Sequence, residues 1–163
     1  MNSWKDKPIE IAYLLNPSFC GEIIRRCIKK YEKVTSKNLP YPLIFLILPI
    51  VLHKETREKM PSTARKKMHI WLQEYPEVKV DFAKRANNLV PISKETMIFL
   101  LQLNALEIDD KGNIKLISYR RTNIPSQKNG EVEKCYRKAE IVGHWFARMK
   151  KSSTIYTMWG VKP

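Results

Sequence analysis

Leu106-Glu107-Ile108-Asp109-Asp110-Lys111-Gly112-Asn113-Ile114-Lys115-Leu116 is the stretch on which the fold turns. Two short runs alternate apolar and polar residues, and between them lies a turn of Asp, Gly and Asn. Alternation sends every second side chain to one face of a strand, and Gly and Asn tolerate the backbone angles of a tight turn. The stretch therefore predicts a β-hairpin. Just upstream, Ser93 reads as a helix N-cap, with Ile92 before it and Met97 four residues after it as a hydrophobic staple. Ile98, Leu100, Leu101 and Ala105 continue that helix. An earlier helix, with apolar positions Val78, Phe82, Ala86 and Leu89, is predicted to end at Pro91. Helix, helix and hairpin would then span Asp81 to Ile117.

Further upstream, Pro42–Leu52 is an apolar run of eleven residues interrupted by Pro49. It is too short for a membrane span of about 20 residues, so it predicts a buried element. Its Pro42 suits the first turn of a helix, and an internal Pro argues against a central strand. Taken as a first helix, it completes a winged-helix-like core over residues 42–118. A second amphipathic helix is predicted near Ser62 to Glu74, with Ala64, Met68, Trp71, Leu72 and Tyr75 inward, stopped by Pro76. Asn16-Pro17 opens another, in which Phe19, Cys20, Ile23, Ile24, Cys27, Ile28 and Tyr31 recur at helical spacing. Ile9 to Leu15 reads as an edge strand. Downstream, Tyr119 to Gly130 is polar and reads as a loop, and Glu131 to Lys150 is a helix. Ser153 to Val161 is β-branched and aromatic and predicts a strand, placed to join the hairpin as a third. The fold class expected is α+β, mostly α-helical, as a single domain over residues 1–163.

The 163 residues are enough to bury roughly 70% of the unfolded surface. The outlier is charge: thirty Lys and Arg face sixteen Asp and Glu, a net +14. Such an excess repels itself, and polyanions are its usual users. No targeting signal is read at the start. Cys20, Cys27 and Cys135 fall in helical patterns and read as reduced core residues, which predicts a cytoplasmic protein.

Catalytic signals are missing. Cys20 and Cys27 are seven apart, whereas zinc sites use tighter pairs. His53, His69 and His144 are isolated, and no nucleophile motif accompanies them. The five glycines form neither a P-loop nor a dinucleotide fingerprint. No clustered carboxylates suggest a nuclease's metal pair. The chain reads as a binding subunit with no cofactor and no enzymatic role. Three basic patches are candidates to carry the binding. The first is Arg25, Arg26, Lys29, Lys30 and Lys33; the second is Lys54, Arg57, Lys59, Arg65, Lys66 and Lys67; the third is Lys115 to Lys128, with Arg120 and Arg121. They would meet either DNA phosphates or acidic patches of a protein partner. A stand-alone winged-helix regulator and a nuclease using His53 as base are the rival readings.

Several strings are similar to a known family. Glu10-Ile11-Ala12-Tyr13-Leu14-Leu15-Asn16-Pro17-Ser18-Phe19-Cys20 resembles the opening of the middle components of three-component ABC-ATPase systems. Leu39-Pro40-Tyr41-Pro42-Leu43-Ile44-Phe45-Leu46, Leu48-Pro49 and Leu52-His53-Lys54 resemble a second signature. Trp71-Leu72-Gln73-Glu74, Leu89-Val90-Pro91 and Trp159-Gly160-Val161-Lys162-Pro163 fit as well. The resemblance implies an accessory subunit encoded beside an SMC- or Rad50-like ATPase and a variable effector, often a nuclease, as in Lamassu-type antiphage defence. It implies contact with both partners and with DNA, and it supplies no catalytic residue.

Overall fold

A computed structural model describes residues 16–117 and 130–162. The elements are α1 (Pro17–Thr35), a 3-10 turn (Tyr41–Leu43), α2 (Ile44–Val51), α3 (Lys54–Lys59), α4 (Met68–Glu74) and a second 3-10 turn (Pro76–Lys79). Then come α5 (Phe82–Gln102), β1 (Leu106–Ile108), β2 (Ile114–Leu116), α6 (Glu131–Ala147) and α7 (Ser152–Met158). The described chain is mostly α-helical with one small antiparallel sheet, as expected. The Ile9–Leu15 strand and most of the 119–130 loop lie outside the described residues.

Local signals work where local chemistry decides. Asn16 Oδ1 accepts the Ser18 N–H at 2.8 Å and Pro17 opens α1, so the cap is the predicted one. All seven apolar positions read from the α1 spacing are buried. The hairpin pairs Leu106 with Leu116, Glu107 with Lys115 and Ile108 with Ile114. Its turn is held by Asp109 Oδ1, which accepts the N–H groups of Lys111 and Asn113 at 2.8 and 2.9 Å, and Gly112 takes a left-handed φ of 80°. Leu39 exchanges two backbone hydrogen bonds with Ile114, and Glu32 Oε1 accepts the Leu116 N–H at 2.8 Å. Both tie the hairpin to the end of α1.

Three expectations are corrected. The helix near Ser62–Glu74 begins only at Met68. The two helices read on either side of Pro91 are one, α5. The burial stripe Phe82, Ala86, Leu89, Ser93, Met97, Leu100 keeps its phase through the proline. Pro91 itself is exposed, as is Asn87, whose carbonyl loses the bond Pro91 cannot donate. Solvent can take that carbonyl, and burying an unbroken stripe outweighs the roughly 3 kcal/mol of an interior proline. Ser93 is accordingly buried mid-helix and not an N-cap. The third correction is at residues 153–161. They form α7 and not a strand, because Ile155, Tyr156 and Trp159 share one helical face and bury it. Between Asp81 and the hairpin there is thus one helix where two were read, and residues 153–161 add no third strand to the hairpin.

The buried apolar side chains form one continuous cluster. α2 runs through it with every residue but Phe45 buried. Trp71 lies 5.0 Å from Trp145 and 6.0 Å from Trp159 between ring centroids, and Trp159 lies 4.5 Å from Phe82. Cys20, Cys27 and Cys135 are buried free thiols, and burial pushes the Cys20 thiol up to about 12.

The most extensive helix pairing is α1 with α6. Phe19 meets Tyr136, Arg26 meets Tyr136 and Glu140, and Cys27 and Lys30 lie against Gly143. Residue numbers rise together along the pair, so the two helices are parallel. Their C-terminal ends share one end of the molecule.

Candidate functional site

The basic patches divide into structural cations and free ones. Arg26 Nε reaches Glu22 at 2.9 Å and Nη1 reaches Glu140 at 3.4 Å, while its guanidinium covers the Tyr136 ring at 4.7 Å. Arg25 pairs with Glu22 at 3.6 Å. These two belong to the packing of α1. Arg57 is almost wholly buried. It donates to the Val51 carbonyl at 3.0 Å and to Glu131 at 2.8 Å, and it holds the Glu131 carboxyl below its ordinary range. Lys59 pairs with Glu77 at 3.0 Å, Lys66 with Glu74 at 2.5 Å, and Lys54 with Glu58 at 4.0 Å.

Lys29, Lys33, Arg65 and Lys67 are exposed and make no ion pair among the described residues. Lys30 is half-buried, its Cβ beside Gly143. Lys115 stands opposite Glu107 in the hairpin. Arg120 and Arg121 lie outside the described residues.

The structure brings part of the first and second patches together at the C-terminal end of α6. The segment 60–67 carries no regular hydrogen-bond ladder, and α6 supplies donors for its carbonyls. Lys138 Nζ donates to Met60 and Pro61 at 3.2 and 2.9 Å, Trp145 Nε1 to Lys66 at 2.8 Å, and Arg148 to Ala64 at 2.9 Å. The segment is thus laid along α6, with Arg65, Lys66 and Lys67 exposed. On the other flank, Lys30 and Lys33 come from the last turns of α1. Arg148, Lys150 and Lys151 then extend the basic surface past α6. Cations at the ends of two parallel helices also complement their negative dipole ends. An open groove of about 1070 Å³ adjoins this end, its lining including Val34, Lys37, Asp109, Lys111, Arg148 and Lys150.

The residues missed from sequence are Lys37, Arg148, Lys150 and Lys151. A signal for them exists. Residues 33–54, 59–73 and 141–163 contain no Asp or Glu, and parts of all three stretches meet at this end.

A family model described as "ABC-three component (ABC-3C) system Middle Component 3" matches residues 4–163. The chain belongs to this family. No curated protein and no solved structure matches the chain significantly. The middle component's basic end is therefore read from its own residues. Among the described residues, no group of three or more His, Cys, Asp or Glu is placed to hold a metal ion, and no helix is long and apolar enough to cross a membrane.

Two histidines give this middle component a pH dependence. Burial lowers the His144 pKa, and Arg148 and Lys30 lower it further. Burial likewise lowers that of His53, helped by Arg85, and His53 Nδ1 contacts the Thr56 hydroxyl at 2.7 Å. Both imidazoles take up their protons at lower pH in the fold than in the unfolded chain, which binds them from about pH 6.5 downward. In that window the unfolded state carries more protons, so stability falls as pH falls. Thermal unfolding should show a declining midpoint from pH 7.5 to 5.5. A His53→Gln/His144→Gln protein should show a flatter profile, and an unchanged slope would refute this assignment.

Proposed function

We propose that this chain is a non-catalytic adaptor of a Lamassu-type antiphage complex in the bacterial cytoplasm. It joins an SMC- or Rad50-like ATPase to an effector subunit of the nuclease kind and contacts DNA through its basic surface. The observation that carries the accessory role is membership of the middle-component family over residues 4–163. Supporting the DNA contact are the net charge of +14 and the gathering of exposed cations from separate segments at one end. Phosphate contacts are expected to dominate, since these side chains are Lys and Arg.

The test is co-expression with the products of the adjacent ATPase and effector genes, followed by affinity capture through this chain. Stable co-elution of both supports the adaptor role. A monodisperse monomer that captures neither would sink it.

A further inference from the structure

We propose that one face, built from the ends of α1 and α6 with the segment 60–67, grips the sugar–phosphate backbone of duplex DNA. The remaining surface cations do not take part. The inference rests on the DNA-contact reading above and adds where, and how, that contact is made.

Three observations support the assignment. First, the face is preformed. Donors from Lys138, Trp145 and Arg148 fix the backbone of residues 60–67, so Arg65 and Lys67 project from a held segment. Preorganised charges lose less entropy on binding than charges on a free loop. Second, the cations are available. Arg65, Lys67, Lys150 and Lys151 are exposed and make no ion pair among the described residues. Arg26, Arg57 and Lys59, in contrast, are already neutralised by Glu22, Glu131 and Glu77. A phosphate contact there would first have to displace a carboxylate.

Third, the face suits DNA better than an acidic protein. Protein interfaces draw most of their energy from desolvated aromatic or apolar anchors. Here the large apolar side chains, Trp71, Trp145 and Phe146, are each 1% exposed or less. Val34, 42% exposed, is the large apolar residue that the neighbouring groove presents to solvent. With cations outnumbering exposed apolar side chains, the face fits a phosphate backbone, whose affinity comes from releasing condensed counterions. The exposed contacts are Lys and Arg, which pair with phosphate oxygens, so binding is expected to be independent of base sequence.

The experiment uses the full chain and a random-sequence 30-base-pair duplex, titrated at several salt concentrations between 50 and 200 mM. The face variant carries Arg65→Gln, Lys67→Gln, Lys150→Gln and Lys151→Gln. The control carries Lys79→Gln, Lys84→Gln, Lys94→Gln and Lys134→Gln, all exposed and none at the C-terminal end of α1 or α6 or in the segment 60–67. Both lose four positive charges, so net charge is matched. The face variant should flatten the slope of log affinity against log salt by about 3.6, from roughly 0.9 for each of four phosphate contacts. Its affinity at the lowest salt should fall at least tenfold, and the control should stay within about threefold of wild type.

Equal losses in the two variants would overturn the face while leaving DNA contact standing. A wild-type chain that fails to bind duplex at 50 mM salt would overturn both. Binding of polyglutamate with no binding of duplex would overturn the proposal in favour of an acidic protein partner. Unchanged thermal midpoints in both variants confirm that the comparison concerns binding alone.

Discussion

A Trp71→Ala protein is expected to lose about 3–5 kcal/mol of unfolding free energy. Trp71 is 1% exposed and sits at the centre of the aromatic cluster, with Tyr75, Trp145 and Trp159 at ring-centroid distances of 6.2, 5.0 and 6.0 Å. Its indole also donates to the Lys59 carbonyl at 2.7 Å, which fixes the end of α3. Truncation removes the ring, opens a cavity between α4, α6 and α7, and leaves that carbonyl without its donor. Against a typical total of about 5–15 kcal/mol, such a loss brings the fold near its limit. Urea denaturation checks it: the midpoint should drop with the slope unchanged. Trp71→Phe keeps most of the apolar bulk and should cost about 1–3 kcal/mol, most of it the lost indole bond. A loss below about 1 kcal/mol for the Ala variant would mean that the cluster does not organise the core.

Gly143→Ala is expected to destabilise by about 2 kcal/mol, although helix propensity alone predicts a gain of about 1. The sign is the informative part. A Cβ at Gly143 would stand 2.3 Å from the Cys27 carbonyl oxygen and 3.1 Å from Lys30 Cβ. The first obstacle is backbone of α1, which cannot swing aside, so the two parallel helices must separate. Overpacking typically costs about 1–3 kcal/mol, and a backbone obstacle this close takes the upper figure, about 3, less the propensity gain of about 1. Gly21 provides the contrast. A Cβ there meets Leu100 Cδ2 at 3.1 Å, the end of a flexible side chain. Gly21→Ala should therefore stay within about 1 kcal/mol of wild type. Equal effects at the two glycines would show that the close approach of α1 to α6 is not what Gly143 provides.

The sequence was most readable where neighbours in the chain decide the outcome. The hairpin register and the Asn16 cap follow from residues within a few positions of one another. Pro91 misleads because a proline is a local stop signal, whereas the stripe from Phe82 to Leu100 is a property of the whole helix. Ser153–Val161 misleads for the opposite reason: its composition favours a strand, but the burial available to Ile155, Tyr156 and Trp159 is on one helical face. The site was legible only as a list of cations. Arg26 and Arg57 looked the same as Arg65 in sequence. Arg57 is distinguished by Glu131, 74 residues away along the chain, and Arg26 by Glu22 one turn back together with Glu140, 114 residues away. The meeting of residues 64–67 with the end of α6 is likewise a tertiary fact, made by Trp145 and Arg148.

The pairing of α1 with α6 sets a timetable for synthesis. α1 leaves the ribosome early, yet the helix that covers Phe19 and Cys27 follows roughly 110 residues later, about 6–22 seconds at typical translation rates. Through that interval the α6-facing strip of α1 is exposed apolar surface. Folding of this strip must wait for α6, and its long sequence separation slows the search for its partner. The nascent chain is therefore expected to be a chaperone client, and its yield to depend more on that wait than on the stability of the finished fold.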